Sequence, residues 1–114
     1  MPSPSTIARG NILGHWLLSI TISPTSVAPN TTAEQTFTVT GLQLGDFVEM
    51  NKPTNQAGLG IVNSRVSAAN TLAVAFVNAT SATITPTASE IYYCDIVRPE
   101  NLNSSSNSAL SQIT

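Results

Sequence analysis

Residues 71–78, TLAVAFVN, decide how this chain is read. Leu72, Val74 and Phe76 alternate with Ala73 and Ala75. A period of two is the signature of a β-strand, whose successive side chains leave on opposite faces. The alternation assigns Leu72, Val74 and Phe76 to a core. Ala73 and Ala75 line a second, close-packed face. Just upstream, Ala68-Ala-Asn70 reads as a tight turn, because asparagine tolerates positive φ. Residues 59–67, LGIVNSRVS, read as the strand entering that turn.

The same texture extends in both directions. Residues 15–22, HWLLSITI, place Trp16, Leu18, Ile20 and Ile22 on one face, and Pro24 ends the run. Residues 34–40, EQTFTVT, send Phe37 and Val39 one way and three threonines the other. Gly41 and Gly45 bracket a turn with an apolar plug, and 46–51 form a short strand with Val48 and Met50 inward. A brief strand is expected at 82–85, before Pro86. Residues 90–98, EIYYCDIVR, are apolar on both faces, as in a central strand or one covered by a partner. Short strands at this spacing, with no amphipathic helix, predict an all-β antiparallel β-sandwich, jelly-roll-like, of about seven to eight strands. The core is expected to include Leu18, Ile20, Phe37, Val39, Val48, Leu72, Val74, Phe76 and Ile96.

Three parts follow from this pass. Residues 1–14 form an extended N-terminal arm, since two prolines and two glycines interrupt any period. Residues 15–99 form the sandwich, and 100–114 a loose tail rich in serine and asparagine. The length of 114 residues suits one domain.

Charge narrows the function. Only 9% of residues are charged, against roughly 25% in an average soluble domain. A surface so poor in solvated charge points to coverage by other subunits. The four Lys and Arg residues, Arg9, Lys52, Arg65 and Arg98, are scattered. They are too few to neutralise a run of phosphates and form no polybasic patch for a membrane, so neither nucleic acid nor membrane is expected as a partner. The start, Met-Pro-Ser-Pro-Ser5, lacks the basic and apolar regions of a signal peptide, so synthesis in the cytoplasm is expected. On that reading the sequons at Asn30, Asn78 and Asn103 carry no glycan.

The search for chemistry yields little. The single histidine, His15, has no Gly-x-Ser-x-Gly elbow to serve, and reads as a polar strand-edge residue. Asp46 and Glu49 lie three apart on one strand and so face opposite ways. Asp95 is expected to pair with Arg65 or Arg98. Gly58-Leu-Gly60 lacks the Lys-Ser/Thr of a phosphate loop and reads as a close backbone approach. Cys94 reads as a small buried hydrophobe. Tyr92 and Tyr93 point to opposite faces, one to the core and one to an interface. No catalytic residue, metal site or cofactor is expected.

The stretches Gly41-Leu-Gln-Leu-Gly-Asp-Phe-Val-Glu-Met-Asn-Lys-Pro53, Ala57-Gly-Leu-Gly-Ile-Val-Asn-Ser-Arg-Val-Ser-Ala-Ala-Asn-Thr-Leu72, Phe76-Val-Asn-Ala-Thr80 and Thr83-Ile-Thr-Pro86 resemble small β-sandwich proteins encoded among tailed-phage structural genes. The capsid decoration, or cement, proteins are the nearest in kind. The resemblance covers residues 34–99. It implies a non-enzymatic virion protein on the outside of an icosahedral head. Such proteins often form trimers and bridge major capsid subunits. On this reading the arm binds the capsid through Ile7, Arg9, Ile12, Leu13 and Trp16, and the faces around Ala73, Ala75, Tyr93 and Asp95 meet sister copies. A second reading is a receptor- or carbohydrate-binding head domain of a phage fibre or spike, with Trp16 and the Asn51–Gln56 loop as its site.

Overall fold

A computed structural model describes residues 12–100. Six strands run in chain order: β1 (Ile12–Ile22), β2 (Thr31–Thr38), β3 (Phe47–Asn51), β4 (Leu59–Ala68), β5 (Thr71–Asn78) and β6 (Glu90–Pro99). They form two three-stranded antiparallel sheets, ordered β1-β6-β3 and β2-β5-β4. No helix is present among the described residues.

The all-β expectation holds, but six strands stand where seven to eight were expected. Residues 82–85 do not form a strand. Ile84 makes a single antiparallel bridge to Val27, with backbone bonds of 2.8 and 3.1 Å. The prolines at 24, 29 and 86 prevent either side from extending it. The first strand also starts earlier than expected. Ile12–Gly14, read as the end of the arm, already pair with β6.

Both central strands were legible as the most apolar segments. Leu72, Val74 and Phe76 of β5 and Tyr92, Cys94 and Ile96 of β6 are buried in the core. Leu18, Ile20, Phe37, Val48 and Met50 on the flanking strands, and Val39 just past β2, are partly buried against them. At the β3–β4 corner the sheets approach one another, and the Ser64 hydroxyl donates to the Val48 carbonyl at 2.6 Å.

Two polar residues tie the loops to this frame. Asn70, at φ +62° in the β4–β5 turn, accepts from the Gly41 amide at 2.8 Å and donates its own amide to Leu42 O at 2.8 Å. Asn78 is fully buried at the end of β5. Its amide nitrogen donates to the carbonyls of Val27 and Ala82, while its oxygen accepts from the Thr80 amide and hydroxyl. The sequon at Asn78 is therefore spent on structure, since its nitrogen is enclosed and doubly bonded. Gly58 adopts φ +81°, and a methyl there would strike Thr80, so the Gly58-Leu-Gly60 segment is the close approach its sequence suggested.

Candidate functional site: the outer face of the first sheet

Period two sends one side of β1, β6 and β3 into the core and the other outward. The outward set is unusually apolar. Leu17 is 78% exposed, and Leu13, Phe47, Ile91 and Tyr93 are each about half exposed or more. Register fixes their arrangement in rungs. His15, Val97 and Phe47 share one rung; Leu17, Asp95 and Glu49 the next; Ser19, Tyr93 and Asn51 the third. Leu17, Val97, Phe47 and Tyr93 thus flank Asp95 and Glu49, with His15, Ser19 and Asn51 in the same rungs. Large exposed apolar side chains thus stand among polar ones on this face.

The centre holds His15, Asp95 and Glu49. His15 Nε2 and Asp95 Oδ1 form a hydrogen-bonded pair between diagonal neighbours on β1 and β6. Glu49 stands directly opposite Asp95, and its carboxylate has no hydrogen bond or ion pair among the described residues. Two carboxylates facing each other across strands repel. The histidine relieves one of them and leaves the other uncompensated.

The expected partners of Asp95 are engaged elsewhere. Arg65 belongs to the second sheet, where it binds Glu34 through two bonds of 2.8 and 2.9 Å. Arg98 is three residues from Asp95 and therefore faces the other way. It grips Asp46 through two bonds of 2.8 Å, donates to the Gly41 carbonyl at 2.7 Å, and lies 4.9 Å from the centre of the Trp16 ring. Lys52 meets Glu90 at 2.9 Å, and the Thr54 hydroxyl donates to the other oxygen of that carboxylate.

These pairs shift the carboxylates in one direction. The Arg98 guanidinium holds Asp46 below its ordinary range, helped by the Gln43 amide. The Arg65 guanidinium does the same for Glu34. The Thr54 hydroxyl, then Lys52, lower Glu90. Burial pushes Cys94 up, and burial with the Glu90 charge pushes Tyr92 up to about 12.

Of the residues expected at interfaces, Tyr93 and Asp95 lie on this outer face, and Leu13 joins them. Ala73 and Ala75 do not. They face outward from the opposite sheet, and Ala73 is fully buried within its own chain. Arg65 stands beside Ala73 and Glu34 beside Ala75, so their ion pair crosses β5 and roofs the alanines. The small side chains make room for that pair. Ile12 is partly exposed at the start of β1, while Ile7 and Arg9 lie outside the described residues. Trp16 is 42% exposed but turned to the inner side, over Gly14 and against Arg98. It shares a rung with Ile96 and Val48, whereas the Asn51–Gln56 loop leaves the far end of β3. The two halves of the expected carbohydrate site are therefore not brought together.

The sequence reading missed the His15–Asp95 pair and the rung that sets Glu49 beside it. Neither was legible without register, because the partners lie on three different strands. Among the described residues no group of three His, Cys, Asp or Glu side chains is placed to hold a metal ion. No protein-family model, curated protein or solved structure matches the chain.

Proposed function

We propose that this chain is a non-enzymatic virion structural protein, a capsid decoration (cement) protein that binds the outside of an icosahedral phage head and bridges major capsid subunits. The observation that carries the reading is the outer face of β1-β6-β3, where Leu13, Leu17, Phe47, Ile91 and Tyr93 stand exposed together. A protein with so little surface charge does not keep such a face in water at the concentrations reached on a particle. The resemblance over residues 34–99 supplies the setting: made in the host cytoplasm, placed on the exterior of the head, and assembled as a trimer.

Strand order supports a jelly-roll origin. A jelly roll of eight strands forms two four-stranded sheets. Removing its fifth and sixth strands leaves sheets ordered first-last-third and second-penultimate-fourth, which is the order seen here.

The energetics suit cementing. Apolar burial yields about 25 cal/mol per Å² before the entropy of association is subtracted. A trimer that docks three modest faces gains from effective concentration at each successive contact. The test is co-sedimentation of the purified protein with expanded heads assembled without it. Wild type is expected to saturate the heads at a fixed ratio to the major capsid protein, and Leu17→Asp to lose binding while remaining folded. Wild type that stays in the supernatant refutes the reading.

A further inference from the structure

The four sheet edges are not alike. β1 and β3 flank one sheet, β2 and β4 the other. An open edge presents unpaired N–H and C=O groups to any strand that meets it, and folds blunt it with charge, brevity, proline or bulges. β3 has five residues, carries Glu49 and runs into Lys52-Pro53. β2 carries Glu34 and begins two residues after Pro29. β4 carries Arg65 and is broken by two register shifts.

β1 lacks these defences beyond its first residues. It is 11 residues long and contains no Asp, Glu, Lys, Arg or Pro. Its one register shift lies between Ile12 and Gly14, and from Gly14 to Ile22 it follows β6 rung by rung. Its backbone has no hydrogen-bond partner outside β6 among the described residues. Every second residue therefore offers its N–H and C=O to the open side.

The sequence of β1 restricts what fits there. β3 of a second copy is half as long and would bring Glu49, and β2 would bring Glu34. A second β1 matches in length and brings no carboxylate. Full antiparallel overlap of the 11 residues centres on Leu17, which meets its own counterpart. Trp16 then faces the second copy's Leu18, and Ile12 its Ile22. This register keeps the inner faces of both copies on one side of the joined sheet. His15 faces Ser19, and the two histidines stand four rungs apart, about 13 Å, so no like charges meet.

We propose that β1 of one copy pairs antiparallel with β1 of a second, around a two-fold axis through Leu17, and joins two three-stranded sheets into one of six. About ten backbone hydrogen bonds form across the join. The contact is isologous and closes on itself. It goes beyond the proposed function, because it uses the edge of the sheet and leaves both outer faces open on the same side. Within the proposed trimeric arrangement it joins copies of neighbouring trimers.

Disulfide trapping and sedimentation velocity of the full-length protein, without phage heads, test it. Directly opposed residues of an antiparallel pair have Cα atoms about 4.5–5.5 Å apart, within disulfide reach. Cys94 is buried and is kept. Leu17→Cys is expected to link to itself in a glutathione buffer. Leu13→Cys and Thr21→Cys are expected to stay unlinked alone and to link when mixed, since Leu13 of one copy lies opposite Thr21 of the other. Wild type is expected to sediment as an even-numbered oligomer. Leu17→Lys sets two ammonium groups against each other, and is expected to weaken self-association by about 10-fold or more with unchanged far-ultraviolet circular dichroism. Any of four results overturns the proposal: wild type that stays monomeric at every soluble concentration, wild type that forms an odd-numbered oligomer, Leu17→Lys that associates like wild type, or Leu13→Cys alone that links as fast as Leu17→Cys. A monomer would give the edge to another occupant, the chain's own ends or a capsid strand. Because no heads are present, failure here leaves the co-sedimentation result standing, and the reverse also holds.

Discussion

Arg65 on β4 reaches across the central strand β5 to Glu34 on β2, and together they roof Ala73. The space beneath the pair fits a methyl group and little more. Ala73→Leu is expected to evict the roof and to destabilise the fold by about 1–3 kcal/mol, as overpacked sites do. Arg65→Ala leaves a half-exposed carboxylate in water and is expected to change the melting temperature little. Thermal denaturation of the two variants side by side checks the contrast.

Acid should weaken the protein through three carboxylates. Asp46, Glu34 and Glu90 are each lowered in the folded state from ordinary values of 3.8 and 4.5. A lowered folded pKa gives stability that is fully present above the unfolded value and lost as pH falls through the folded one. The melting temperature is therefore expected to be flat through neutral pH, to start falling near pH 4–5, and to keep falling below it. Asp46→Asn should make that acid limb shallower. An unchanged slope would remove Asp46 from the account.

Gly14 lies under the indole of Trp16. A methyl at position 14 would fall 2.6 and 3.0 Å from two ring carbons, closer than van der Waals contact. Gly14→Ala is expected to push the ring away from Arg98 toward water. The chain has one tryptophan, so its emission reports the site alone. A red shift with a lower melting temperature is the expected result.

Two buried polar side chains call for opposite outcomes. The Tyr92 hydroxyl is buried and has no hydrogen-bond partner among the described residues. Tyr92→Phe removes an unsatisfied group and keeps the ring, so stability should hold or rise by up to about 1 kcal/mol. Asn78 makes four bonds from a fully enclosed position. Asn78→Ala takes the acceptor from the Thr80 amide and one of two donors from each of the Val27 and Ala82 carbonyls, and should cost about 2–4 kcal/mol. Urea unfolding of both variants measures the difference.

Much of the fold was legible because period two is a local signal. The core assignments on β5 and β6 needed nothing beyond the alternation at 71–78 and 90–98. What failed was pairing between strands distant in sequence. Asp95 was matched to Arg65 or Arg98 on chemistry alone. The three-residue spacing to Arg98 already placed the two on opposite faces, the same argument that separates Asp46 from Glu49. Ala73 was read as an interface candidate from its small side chain, and the ion pair above it became visible only with the register of β2 and β4 on either side of β5. Residues 82–85 were read as a brief strand before Pro86, and the prolines nearby limited them to one bridge.

The pairing of β1 with β6 joins residues as far apart as Ile12 and Pro99, 87 positions along the chain. On the ribosome, β2, β4 and β5 are all available for pairing before β6 is synthesised. Throughout that interval β1 emerges as Ile-Leu-Gly-His-Trp-Leu-Leu-Ser-Ile-Thr-Ile with no strand to lie against. Newly made chains will therefore lean on chaperones until translation nears its end, and recombinant yield will depend on how fast the last strand arrives.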